Sequence, residues 1–124
     1  MRLLLDTHIV LWAMADDARL SRALRDAIAG AEALFISAAT VWEVAIKASL
    51  GKLDVPADLF DRALSAGAQP LPISWTHARA VAELPPHHAD PFDRLLIAQA
   101  RTEGLALVSV DRQFGAYDVA LLGG

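Results

Sequence analysis

Residues 90–111 read DPFDRLLIAQARTEGLALVSVD. Asp90 is a residue type that caps helices, and Pro91 suits a first helical position, where a missing N–H costs nothing. Gly104 supplies a stop. The pattern predicts a helix from Pro91 to about Glu103, followed at once by a buried apolar strand over residues 105–110. A helix that leads into a strand runs antiparallel to it. Its amino end therefore returns to the sheet edge where the strand's carboxyl end lies. Asp93 in the first helical turn and Asp111 after the strand are brought to one rim.

The rest of the chain repeats this alternation. Residues 2–5 form an apolar strand that ends at Asp6, and residues 7–15 a short helix. Ser21 caps a second helix through residue 29, with Gly30 at its end. Residues 34–36 form a second strand. Ser37 caps a helix over residues 38–50, stopped by Gly51. Pro56 introduces residues 57–66, closed by Gly67. A strand near residues 70–73 is weakened by Pro70 and Pro72. Residues 75–84 read as helical up to Pro85-Pro86. Residues 119–122 make a last short strand at an edge. The stretch with His87 and His88 reads as a solvated loop between helices. Buried strands alternating with helices imply an α/β fold with a mainly parallel central sheet flanked by helices.

The 124 residues suit one domain, 1–124, and 55% of them are hydrophobic. No apolar run approaches the ~18 residues of a membrane span. Asp6 and His8 interrupt the start where a signal peptide would be apolar, so a cytoplasmic location is expected. There is no cysteine, which excludes disulfides and thiolate metal sites. Net charge is −4 with a pI near 5.4. Proteins that grip nucleic acid through its phosphates are usually basic, so such binding here would need metal ions or a local basic patch.

In parallel α/β sheets, ligands bind at the carboxyl ends of the strands. Asp6 and Asp111 stand at such ends. Glu43 lies in the second turn of the helix leaving the second strand, at the same edge. With Asp93, four acids converge there. Like charges crowded together raise one another's pKa, and a hard divalent cation removes the conflict. All-oxygen ligands favour Mg²⁺ or Mn²⁺.

Each acid also has a structural reading. Asp6 can cap the next helix. Glu43 can pair with Lys47 four residues on, although its apolar neighbours Val41, Trp42, Val44, Ala45, Ile46 and Ala48 make an unpartnered Glu costly. Asp90 is the N-cap, and Asp93 can close a capping box. Asp111 can be a turn residue. The histidines show no zinc spacing, and His8 reads as packed or surface. Trp12, Met14 and Trp42 read as core or interface. A phosphatase with an Asp nucleophile would want a second Asp where His8 stands. A phosphoacceptor module would want a Lys after the last strand.

Three segments together, LLLDTHIVLWA (3–13), ISAATVWEVAIKASLGKL (36–53) and DPFDRLLIAQARTEGLALVSVDRQF (90–114), resemble the PIN domain and, more narrowly, VapC-type toxins of toxin–antitoxin pairs. The resemblance covers nearly the whole chain. It implies an α/β/α sandwich, Mg²⁺- or Mn²⁺-dependent endoribonuclease activity on RNA such as tRNA, a homodimer, and inhibition by a cognate VapB-like antitoxin. The family's acids fall on Asp6, Glu43, Asp93 and Asp111. Thr7 and Ser109 match residues that orient carboxylates or bind a bridging water. Asp6, Glu43 and Asp93 would hold one metal, with Asp111 completing that site or helping to bind a second. Lys47, Arg94 and Arg112 are candidates for substrate phosphate contacts. The rival expectation is a non-catalytic PIN-like module that binds a partner protein or RNA.

Overall fold

A computed structural model describes residues 1–123 of the chain. Its elements follow in the order β1 (Arg2–Leu5), α1 (Thr7–Met14), α2 (Arg22–Ala29), β2 (Ala33–Ser37), α3 (Ala38–Ser49), α4 (Leu59–Ser65), β3 (Gln69–Leu71), α5 (Trp75–Ala80), α6 (Pro91–Glu103), β4 (Ala106–Val108) and β5 (Leu121–Leu122). Short 3₁₀ turns span Val81–Glu83 and Arg112–Ala116. Among the described residues the sheet order is β3-β2-β1-β4-β5, and every pairing is parallel.

Side chains alternate across β1. Leu4 points into one core with Leu107, Ile97 and Phe114. Leu3 and Leu5 point into the other with Val108, Ile9 and Val10. A parallel sheet needs both faces covered, and such near-continuous apolar strands are what a doubly covered sheet demands. The layers are thus helix, sheet, helix, as expected for α/β with a parallel sheet.

Local signals set most helix ends. Ser21 accepts a hydrogen bond from Leu24 N–H at 3.2 Å. Ser37 accepts from Ala39 N–H at 2.9 Å. Asp90 accepts from Phe92 N–H at 2.8 Å and Asp93 N–H at 3.2 Å. Gly104 closes α6 at φ +66°, a left-handed conformation in which only glycine is unstrained.

Several elements are shorter than the pattern predicts, among them the helix over residues 57–66, regular over Leu59–Ser65, and the strand over residues 119–122, regular over Leu121–Leu122; for two others the structure shows the cause. The strand expected over residues 105–110 is regular only over Ala106–Val108. Ser109 turns the chain instead, because its hydroxyl accepts from Asp111 N–H at 3.0 Å and donates to Asp6. The helix expected over residues 75–84 tightens into a 3₁₀ turn after Ala80. There the Arg94 guanidinium pulls on the chain: Nη2 donates to the carbonyls of Val81 and Leu84, and Nη1 to Pro85.

A cluster of acids at the sheet's switch point

The connections run from β1 outward to β2 and β3, then cross to β4 on the other side of β1. The strand order therefore reverses between β1 and β4, and a crevice opens outside their carboxyl ends. Leu5 and Val108 are paired across those strands. Asp6 and the Ser109-to-Asp111 turn follow directly.

Asp6 occupies the N-cap position of α1, but its side chain makes no capping bond. It is buried and instead accepts from the Ser109 hydroxyl at 2.7 Å. Burial pushes its pKa up, against the Ser109 hydrogen bond, which holds it down. Ser109 is itself buried and touches both Asp6 and the backbone of Asp111, so it ties two acids together. Asp111 does cap the following turn, accepting from Gln113 N–H through Oδ1 at 2.9 Å. Its Oδ2 is left toward the cluster.

Glu43 is buried on α3. Oε1 accepts from the Thr7 hydroxyl at 2.7 Å, and Oε2 from Lys47 Nζ at 2.7 Å. The costly buried Glu thus has two partners. The Lys47 ammonium is held above its usual pKa by Glu43 and keeps part of its length in solvent. Arg112 is exposed.

Asp90 carries the cap of α6, which leaves the Asp93 carboxylate free to face the crevice. Burial, then the charges of Asp90 and Asp6, push Asp93 from 3.8 up to about 7, and Glu43 adds to the shift. Burial is the larger cause of that shift, and the crowded negative charge adds to it.

Two corrections to the sequence reading come from the loop before α6. His88 is not a solvated residue. Its side chain is only 10% exposed, and Nε2 lies 2.9 Å from Asp93 Oδ2 and 3.4 Å from Asp111 Oδ2. Tyr117 draws it in, since its hydroxyl accepts from His88 N–H at 2.8 Å. The one sequence cue was position: a His two residues before a strong N-cap can accept from the cap's own N–H, as His88 Nδ1 does from Asp90 at 3.2 Å.

Arg94, expected as a phosphate contact, has its terminal nitrogens committed to the carbonyls of Pro85, Val81 and Leu84 and to the Tyr117 hydroxyl at 3.3 Å. It clamps the loop that carries His88. Arg94→Ala is expected to cost about 1 kcal/mol, because three carbonyls, two of them partly buried, lose their donor. A urea melt checks this. An unchanged melt with weakened RNA binding would return Arg94 to the substrate.

Among the described residues, His88, Asp93 and Asp111 can each present a ligand atom within 4.8 Å of the others. Asp6 and Glu43 are not in that set; their carboxylates are bonded to Ser109, Thr7 and Lys47, and their charges reach Asp93. Hard carboxylate oxygens and one uncompensated charge suit a divalent cation. Without metal, the folded chain holds a proton on Asp93 that the unfolded chain has released at the same pH. Stability therefore falls as pH rises from about 4 through about 7. EDTA-treated protein is expected to melt several degrees lower at about pH 8 than at about pH 5.5, with Mn²⁺ closing the gap. A flat profile would mean that Asp93 feels no charge conflict.

The family model of the PIN domain matches residues 3–120. The chain is 31% identical over 117 residues to Ribonuclease VapC22 of Mycobacterium tuberculosis, covering 92% of this chain and 90% of that protein. Among solved structures it is similar to VapBC2 from Rickettsia felis bound to a DNA fragment from their promoter, with a TM-score of 0.75 and 16% identity over 99% of this chain and 98% of that one. It is likewise similar to DNA-bound VapBC from Salmonella typhimurium, with a TM-score of 0.71 and 13% identity over 99% and 98% of the two chains. At these identities the structural likeness is one of fold. No helix among the described residues is long and apolar enough to cross a membrane.

Proposed function

Since the chain belongs to the PIN domain family, we propose that it is a metal-dependent endoribonuclease, the toxin of a toxin–antitoxin pair held in check by a VapB-like antitoxin. The observation that carries this reading is the gathering of Asp6, Glu43, Asp93 and Asp111 around the crevice beside β1 and β4, with Asp93 pushed to about 7. The relative named a ribonuclease, matched along 92% of this chain, supports it.

Asp93, Asp111 and Asp6, with Glu43 behind them, would hold Mg²⁺ or Mn²⁺. Such an ion draws in phosphate oxygens and offsets charge that develops on a phosphodiester during hydrolysis. The chain's own residues supply position. Ser109 fixes the Asp6 carboxylate and the Asp111 turn as one unit. Thr7 and Lys47 hold Glu43 by both oxygens, so the cluster is set before substrate arrives. The exposed Arg112 is left as a contact for flanking RNA phosphates, and Lys47, partly in solvent while it holds Glu43, can turn its remaining N–H groups to them.

Beside the cluster a groove of about 650 Å³ is lined in part by Thr7, Trp12, Lys47, Lys52, Leu59 and Arg62. Its lining mixes apolar side chains with Lys47, Lys52 and Arg62 and with the acids Asp17 and Asp54, which suits an RNA strand or an antitoxin tail. Val41 and Trp42 on α3 and Trp75 on α5 are exposed, Trp75 by 86%. Apolar side chains so displayed suit a homodimer or partner surface, and we place the protein in the cytoplasm.

The test is cleavage of structured RNA, tRNA included, with Mg²⁺, Mn²⁺ or EDTA. Cutting that needs the metal is the expected result. No cutting by folded, antitoxin-free protein would favour a non-catalytic binding module.

A further inference from the structure

We propose that His88 donates a hydrogen bond from Nε2–H to an oxygen of the scissile phosphate, which makes it a substrate contact that the four acids do not supply. The inference rests on the nuclease reading above. The ring is fixed from several sides. Nδ1 accepts from Asp90 N–H at 3.2 Å, the backbone N–H is tied to the Tyr117 hydroxyl at 2.8 Å, and the ring packs on Phe114 with centroids 5.9 Å apart. A neutral imidazole carries one N–H. With Nδ1 an acceptor, the proton sits on Nε2.

That Nε2 is nine-tenths buried and aimed into the acidic crevice. It stands 2.9 Å from Asp93 Oδ2 and 3.4 Å from Asp111 Oδ2. Neither contact has hydrogen-bond geometry, and Nε2 is a buried polar atom without a partner. Buried donors left unpaired are rare in folded proteins. This one points into the crevice between the Asp93 and Asp111 carboxylates, where an oxygen brought by a ligand would complete it.

The other use of such a nitrogen is as a metal ligand, since its distances to the two carboxylates would permit it. The hydrogen bond at Nδ1 argues against that. A ligating histidine gives its second nitrogen's proton to an acceptor such as a carbonyl or carboxylate. Here the group facing Nδ1 is the Asp90 N–H, a donor. Ligation through Nε2 would set two protons against each other.

The experiment has two parts. Imidazole ¹⁵N–¹H correlation spectra of the Mg²⁺-loaded wild type should show His88 protonated on Nε2 and bare on Nδ1. Inorganic phosphate titrated into the same Mg²⁺-loaded protein should bind about tenfold more weakly to His88→Ala, while His88→Gln, which keeps a side-chain N–H, stays within about threefold of wild type. A His88 protonated on Nδ1, with Mg²⁺ affinity falling in both variants, would make it a metal ligand and overturn the proposal. So would unchanged phosphate affinity in a folded His88→Ala. The wild-type spectrum needs no variant, so a destabilised mutant cannot leave the question open. A wild type that cuts no RNA yet shows the Nε2 proton and the phosphate loss would sink the nuclease reading and keep His88 as a phosphate contact.

Discussion

Asp6→Asn should cut RNA at least about a hundredfold more slowly than wild type in either Mg²⁺ or Mn²⁺, and should melt no lower. Asparagine keeps the shape of aspartate and can still accept the Ser109 hydrogen bond through its carbonyl oxygen. What it loses is a charge. Metal assistance to phosphodiester hydrolysis amounts to several kcal/mol of transition-state stabilisation. Each ~1.4 kcal/mol is a factor of about ten. In metal-free protein the substitution removes a buried charge whose pKa burial already raises, so stability should hold or rise slightly. Single-turnover cleavage beside a thermal melt checks both halves. Equal cutting by the two proteins would trace the activity to another site. A collapsed melt would make Asp6 a structural residue first.

Phe114→Ala should cost about 3–5 kcal/mol, the usual penalty for emptying a large buried aromatic site. Phe114 is fully buried in the 3₁₀ turn after Asp111 and packs with Leu4, Ile97 and Leu107. It also backs the His88 ring. The cavity would lie directly beneath the acidic crevice. The lost stability should therefore come with lost placement of His88 and Asp111. Urea unfolding should show a lower midpoint with an unchanged slope. A cost under about 1 kcal/mol would mean that the turn collapses onto the void and that Phe114 contributes little to the site.

The acids are readable in the sequence because they follow local signals. Asp6 ends a run of buried leucines, Asp90 and Pro91 announce α6, and Ser37 announces α3 two turns before Glu43. Hydrophobic period and capping chemistry are short-range properties, so the order of elements and the parallel sheet followed from the chain alone. The rim on which four acids meet follows in turn from that order, because a strand's end and the start of its neighbouring helices must share an edge.

Residues that meet irregular backbone were a different case. Nothing near Arg94 in sequence says that it reaches back to the carbonyls of Val81, Leu84 and Pro85. Nothing beside His88 says that Tyr117 will hold it. Both facts depend on side chains meeting across long loops, and no periodicity records such meetings. Short-range patterns in the chain set the α/β alternation, the caps at Ser21, Ser37 and Asp90, and the edge at which Asp6, Glu43, Asp93 and Asp111 lie. The joining of Asp6 to Asp111 by Ser109, the service of Arg94 to the loop, and the turning of an unpaired His88 Nε2 into the crevice arise only in the folded chain. Those outcomes are set by contacts between residues as distant as Asp6 and Ser109, which exist only once the sheet has brought β1 and β4 together.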